Sequence, residues 1–353
     1  MKIKLVILDG DKSYLNRLVS GFSAMYADNL EIHSFSVPQS ALSFVQENKV
    51  DVLLASDVFD IEVDDLPSRC AFAYLIDNPG ITAWKDQRAI CKFQKGEQIY
   101  KQIIGIYAEK ASSIIRIRPE QGKCALVGVA SASGGVGSSC IAAAYALHLA
   151  AKGKKTLYIN LERFGSSDAF FSGQGQFSMT DVIYALMKGK GNLALKLESY
   201  VRQDPRGVYF YAAEKNAVEM LELTNKHVLT LLKELQYNGG YEYIVVDVDF
   251  DIDADSMERM RMFDMLIMVG NGTEESNEKT ERAYRAIEIL ENGSAKPLSD
   301  RILFIYNAVS STNGLTVSIP GLRVLGGTHR YSGGNKAQIV EKLAIQDLFD
   351  KIS

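Results

Sequence analysis

Short apolar runs alternate with longer amphipathic stretches along nearly the whole chain, and the alternation restarts once. In the first third, residues 4–8, 31–35, 50–55, 71–76 and 90–93 read as strands. Between them, 14–25 carries Leu15, Leu18, Val19 and Phe22 at helical spacing, Pro38 opens a helix through Gln46, and 97–107 closes the region as a helix. The turn Asp77-Asn78-Pro79-Gly80 separates the fourth strand from the fifth. The pattern resumes at Cys124, with strands over 124–130, 156–160, 208–211, 243–248, 265–269 and 301–306, and an alanine-rich helix over 141–151 that Gly153 stops. The stretch 111–122, with its Ser-Ser, Arg-Ile-Arg and Pro-Glu-Gln-Gly, breaks both patterns and reads as a linker. Strands alternating with helices imply parallel sheets covered on both faces. The expectation is α/β throughout, with doubly wound parallel-sheet domains over 1–110 and 123–353, joined by 111–122.

Composition narrows this picture without redirecting it. The 353 residues are 47% hydrophobic and 23% charged, which supports two sizeable cores and argues against disorder. A net charge of −4 argues against nucleic acid as a partner through bulk electrostatics. The four cysteines, Cys70, Cys91, Cys124 and Cys140, show no Cys-x-x-Cys spacing, so a reduced cytoplasmic setting is expected and a cysteine metal site is not. No secretory leader is read before Asp9-Gly10-Asp11. The longest apolar run, 141–151, is too short to span a bilayer and contains His148. The segment 338–352 is amphipathic through Ile339, Val340, Leu343, Leu348, Phe349 and Ile352. Its Lys336, Lys342 and Lys351 are balanced by Glu341, Asp347 and Asp350, so it is expected to pack on a core rather than bind anionic lipid.

The chemistry concentrates in one loop. Ser131-Ala132-Ser133-Gly134-Gly135-Val136-Gly137-Ser138-Ser139 follows an apolar strand and opens a helix. A strand, a glycine-rich turn and a helix N-terminus together present backbone N–H groups to phosphate oxygens. In active P-loop enzymes a lysine follows the last glycine and holds the outer phosphates; here that position is Ser138. A second apolar strand ends at Asp247, and Asp249, Asp251 and Asp253 follow it as solvated or helix-capping acids, unless Asp249 takes a switch role.

The loop resembles the deviant Walker A motif of the MinD/ParA ATPases, Lys-Gly-Gly-x-Gly-Lys-Thr/Ser. The resemblance places Ser133, Gly134, Gly135, Val136, Gly137, Ser138, Ser139 and Cys140 around a nucleotide, with Ser139 as a Mg²⁺ ligand and Asp247 reaching the metal through water. It implies ATP and Mg²⁺ as cofactors. Ser133 stands where the family's signature lysine reaches across a dimer, and Ser138 where its P-loop lysine lies. Each lost charge-assisted contact is worth about 1.5–3 kcal/mol. Binding can rest on the amides and the metal, whereas phosphoryl transfer depends on charge stabilisation and suffers more. The family's first switch carries Asp-x-Asp; here Asn160 and Glu162 replace the two acids, and Glu162 either orients water or forms a surface ion pair with Arg163. Asn307, after the apolar strand 303–306, matches the asparagine that reads adenine, or else is a turn residue. Catalytic roles, if any, fall to Glu162 and Asp247. Arg163, Lys279, Arg282 and Arg330 are candidates for replacement cations, each equally readable as a surface charge.

The first domain resembles a response-regulator receiver. Asp9 and Asp11 match its acidic pair and Lys92 its lysine, but Ser56 occupies the phosphoacceptor position, Asp57 falls one residue late, and Asp77 lies near the Thr/Ser switch position. A one-residue shift turns a side chain to the other face of the sheet, so phosphorylation is not expected. A receiver-like domain ahead of a MinD/ParA-like domain resembles the TadZ/CpaE pilus assembly group. That resemblance implies a cytoplasmic factor, polar or at the inner membrane face, that forms ATP-dependent homodimers. Its partners would be proteins of the Tad (Flp) pilus and secretion machinery, with no nucleic acid and with membrane contact only peripheral.

Overall fold

A computed structural model describes residues 2–67, 70–110, 124–189, 192–292, 294, 297–309, 316–317, 319–331 and 333–352. The expected linker, 111–122, lies outside the described residues. The described residues form two compact units.

The first unit contains β1 (Ile3–Leu8), α1 (Lys12–Met25), β2 (Leu30–Phe35), α2 (Pro38–Glu47), β3 (Val52–Ser56), β4 (Ala71–Ile76), β5 (Ala83–Trp84), β6 (Gln87–Cys91) and α3 (Gly96–Lys110). The sheet order is β2-β1-β3-β4-β6-β5. Every pairing is parallel except the short β5–β6 hairpin. Side chains alternate across the sheet, so Leu5 and Ile7 of β1 enter one core while Val6 and Leu8 enter the other. The two-residue β5 is an addition to the five strands expected from the sequence. It is too short and too exposed to leave a periodic signal.

The second unit follows with β7 (Ala125–Ala130), α4 (Ser138–Ala151), β8 (Thr156–Asn160) and α5 (Met179–Lys188). After α6 (Leu193–Tyr200) come β9 (Arg202–Gln203), β10 (Tyr209–Phe210), α7 (Asn225–Asn238), β11 (Tyr243–Asp247), α8 (Ala254–Arg261), β12 (Met265–Gly270), α9 (Glu274–Leu290), β13 (Ile302–Val309), β14 (Arg323–His329) and α10 (Lys336–Ala344). The eight strands run β14-β13-β12-β7-β11-β8-β10-β9, parallel apart from β9. Helix α6 is the exception to sequence order: it packs on α3 within the first unit, where Leu195 joins the core.

Helix α4 is buried along its whole length from Ile141 to Leu149. Such a helix is apolar all round because it is covered on every side. Its alanines allow close approach to β11, and α10 packs against it through Val340, Leu343 and Ala344. The C-terminal segment thus packs on the core through these residues and Leu348 and Phe349, although α10 itself ends at Ala344. The carboxyl end of β7 lies between β11 and β12, where the strand order reverses. In open α/β sheets that is where ligands bind.

Candidate functional site

The glycine-rich loop leaves β7 and enters α4 at this point. Ser131 Oγ accepts from Ser133 N at 3.0 Å and lies 2.6 Å from the Val269 carbonyl of β12, which pins the loop to the neighbouring strand. Gly135 and Gly137 adopt φ of +75° and +85°, the left-handed region that side chains avoid. A Cβ placed on Gly134 or Gly135 would meet nothing within 4 Å, whereas one on Gly137 would fall on Asn307 Nδ2. Gly137 is the N-cap of α4, no side chain caps that end, and no acidic residue stands in the first turn. The first amides of α4 therefore lack an intramolecular acceptor, which is the condition for anion binding. Ser133 is 8% exposed, and its Oγ has no hydrogen-bond partner.

A buried polar cluster stands beside the loop. Asp247 is 0% exposed at the end of β11, in register with Asn160 at the end of β8. Its Oδ2 accepts from Tyr158 OH at 2.9 Å and from Asn160 Nδ2 at 3.1 Å, while Oδ1 has no partner. Ser139 Oγ donates to Glu162 Oε2 at 2.9 Å, and Glu162 N donates to Asn160 Oδ1 at the same distance. Burial pushes the Asp247 carboxyl well above the usual carboxylate range, and the charge of Glu162 adds to that push. Burial likewise raises the Tyr158 hydroxyl far above its ordinary value, so it donates rather than ionises.

Two carboxylates, one of them with an unpartnered oxygen, and a serine hydroxyl beside an uncapped helix start fit a hard divalent cation such as Mg²⁺, which takes oxygen ligands and keeps several waters. The structure brings Ser139, Glu162 and Asp247 together. Tyr158 went unnoticed in the sequence, although it lies two residues before Asn160 and so on the same face of β8.

Asn307 sits where β13 bulges against β14. Its Nδ2 donates to the Val136 carbonyl at 2.8 Å, and its Oδ1 accepts from Thr328 Oγ1 at 2.7 Å. Asn307 is thus tied directly to the glycine-rich loop, and its partner Thr328 lies on β14. The four candidate cations are exposed. Lys279 is paired with Glu275 on its own helix at 2.5 Å, and the backbone N–H of Arg163 donates to Asp249 Oδ2 at 2.9 Å. Cys140, in the first turn of α4, is half-buried, and burial raises its thiol.

In the first unit, Lys92 Nζ lies 2.9 Å from Asp9 Oδ2, 2.9 Å from Ser56 Oγ and 3.4 Å from Asp77 Oδ1. Burial pushes the ammonium down, but the bond to Asp9 and the charges of Asp9 and Asp77 outweigh it, so Lys92 stays charged. Asp11 is spent capping α1, accepting from Ser13 N and Tyr14 N. Strand β3 pairs on both sides without a bulge, so Ser56 keeps the inward position that Asp57 would need.

Among the described residues, no helix is long and apolar enough to cross a membrane. No curated protein matches the chain. Among solved structures it is similar to a ParA family ATPase from Chlorobium tepidum TLS, at 18% identity over 65% of this chain and 96% of that one, TM-score 0.49. It is also similar to the septum site-determining protein MinD from Pyrococcus horikoshii OT3, complexed with Mg-ADP, at 16% identity over 63% and 94%, TM-score 0.46. A third is the cell division ATPase MinD of Pyrococcus furiosus, at 14% identity over 65% and 99%, TM-score 0.45. Residues 1–108 match the family model described as TadZ-like, receiver domain. Residues 1–108 are thus similar to a TadZ-like receiver domain, and the second unit is an α/β sheet with a strand, a glycine loop and a buried helix at its centre.

Proposed function

We propose that this protein is an ATP- and Mg²⁺-binding localisation or assembly factor of a Tad (Flp) type pilus secretion system, with little or no ATP hydrolysis. The observation that carries the nucleotide reading is the pair of orphaned oxygens, Ser133 Oγ and Asp247 Oδ1, flanking an uncapped helix N-terminus. In this reading the amides of 134–140 hold the phosphates and Ser139 ligates Mg²⁺, with Asp247 contributing through water. Bound Mg²⁺ would supply the positive charge that the two carboxylates call for. The TadZ-like match over residues 1–108 supports the assignment to pilus machinery. The TadZ/CpaE resemblance of the sequence supports a cytoplasmic, ATP-dependent homodimer. The weak hydrolysis follows from Ser133 and Ser138, which cannot stabilise charge developing on a transferred phosphoryl group as ammonium groups do.

Titration with a fluorescent ATP analogue and Mg²⁺, run beside a phosphate-release assay, tests the proposal. Tight binding without release is the expected result. Release that Asp247→Ala abolishes would instead make the protein an active partition-type ATPase, and no binding would make it a nucleotide-free scaffold. Gly137→Val should abolish binding, because φ of +85° excludes a branched side chain and its Cβ collides with Asn307.

A further inference from the structure

Helices α4 and α10 lie side by side and run in the same direction. Each follows a strand of the parallel set, β7 or β14, and returns across the same sheet, and the two helices pack on one another. Val340 and Leu343 of α10 share a core with Ile141 and Tyr145 of α4. The carboxyl ends are pinned where His148 Nδ1 lies 2.8 Å from the Ala344 carbonyl. A carbonyl oxygen only accepts, so the imidazole donates there. Eight residues back from His148 stands Cys140, and eight back from Ala344 stands Lys336. Both helices rise about 1.5 Å per residue, so Lys336 opens α10 level with the first turn of α4.

The Lys336 side chain is exposed, and among the described residues it makes no ion pair. Its Nζ lies 5.7 Å from the centre of the Phe170 ring. Phe170 is 3% exposed, its ring meets those of Tyr158 and Phe171, and its carbonyl accepts from Arg206 Nη2 at 2.6 Å, so the ring is a fixed platform. An ammonium over an aromatic face keeps its N–H donors for an anion. Burial raises the Cys140 thiol and the positive charge of Lys336 opposes that rise, so the ammonium is felt at the start of α4. The first amides of α4 have no side-chain cap, whereas α10 is already served by the capping box of Asn335 and Gln338. An anion drawn to this end of the helix pair settles at α4, within the field of Lys336.

We propose that Lys336 supplies the positive charge that the lysine-free glycine loop lacks: carried in on the parallel helix α10, its ammonium contacts the phosphate chain of the bound nucleotide. The inference rests on the nucleotide-binding reading above and adds to it a binding residue from α10, far in sequence from the loop. It separates Lys336 from Arg163, Lys279, Arg282 and Arg330, for none of which the structure records a comparable approach to α4. It also separates Lys336 from Lys342, which lies over the Tyr331 ring at 5.7 Å but nearly two turns further along α10.

The full-length protein is titrated with fluorescent ATP and Mg²⁺ at several NaCl concentrations. At low salt Lys336→Met, which keeps the apolar stem, should bind about tenfold more weakly than wild type. The gap should narrow as NaCl is raised, because an exposed charge is screened. Lys336→Arg should retain most of the affinity and Lys342→Met all of it. In the Lys336→Met background, Ser138→Lys returns an ammonium to the loop and should recover the loss. Lys336→Gln serves as a second probe in case the methionine disturbs folding. Thermal unfolding without nucleotide should be the same in Lys336→Met as in wild type.

Wild-type affinity in Lys336→Met and Lys336→Gln overturns the inference while leaving nucleotide binding intact. A loss that Lys342→Met matches also overturns it, since that is the effect of net charge alone. So does a loss that salt does not change and that comes with a lower unfolding temperature, the signature of packing on Phe170. Failure of wild type itself to bind ATP overturns both the inference and the nucleotide reading beneath it.

Discussion

Asp247 is the residue on which the chemistry proposed for the second unit turns. Its carboxyl is fully buried with one oxygen unpartnered, and burial together with Glu162 raises it well above the value of 3.8 ordinary for an aspartate. A raised carboxyl binds its proton more tightly in the native state than in the unfolded chain. Its contribution to stability is therefore greatest below the unfolded value and is lost as pH rises toward the native one. A divalent cation reverses the preference, because it needs the ionised form and expels the proton. Asp247→Asn removes the buried charge while keeping an oxygen for Tyr158. The nucleotide-free variant should gain in unfolding temperature over wild type as pH rises, more at pH 8 than at pH 5, by about 2–4 °C for each kcal/mol gained. Mg²⁺-ATP should stabilise wild type more at pH 8 than at pH 5 and the variant hardly at all. Thermal unfolding at the two pH values checks all of this; a variant that gains nothing on wild type between pH 5 and pH 8 would show that the carboxylate is compensated in a way the geometry does not contain.

At the scale of elements, α6 separates what a linear reading can find from what it cannot. Leu195 is 2% exposed and shares a core with Ile99, Ile103 and Ile106 of α3, and Gly105 of α3 faces Ser199 at close range. Leu195→Ala should cost about 2–5 kcal/mol. Amide exchange followed by mass spectrometry should show the loss as faster exchange in α3, with the amides of α4 unaffected; equal acceleration in both would contradict the placement of α6. Strands such as β1, β4 and β8, and the loop between β7 and α4, were legible because burial on both faces makes parallel strands continuously apolar and because Gly135 and Gly137 mark a backbone that only glycine adopts freely. The partnership of α6 with α3 was not legible, since its amphipathic face does not say which core receives it. Strand β14 stayed hidden for a different reason: it carries Gly326 and Gly327 and is largely exposed, so it has no apolar run, and the bond from its Thr328 to Asn307 depends on a bulge in β13. Ser139, Glu162 and Asp247 could be assembled from sequence because each sits at a strand end or helix start, positions that an α/β sheet brings to one edge.

At the scale of the whole molecule, the two units carry inverse electrostatic arrangements at the carboxyl ends of their sheets. In the first, the Lys92 ammonium already lies between Asp9, Ser56 and Asp77 at 2.9, 2.9 and 3.4 Å, so the acids are neutralised from within. In the second, Glu162 and Asp247 stand together beside helix-start amides that no side chain caps, and one Asp247 oxygen has no partner. A phosphoaspartate in the first unit would need a metal where Lys92 sits, an acid where Asp11 is spent on a helix cap, and an acceptor where Ser56 stands. Response to phosphate-bearing small molecules should therefore be confined to the second unit. Incubating the full chain with acetyl phosphate and Mg²⁺ should leave the intact mass unchanged. Mg²⁺-ATP should slow amide exchange across 131–140 without altering it in β1, β3 or β6. A phosphoryl adduct mapped to Asp57 would defeat this division, because it would require β3 to slip by a residue against both of its neighbours and turn five buried side chains to the wrong face.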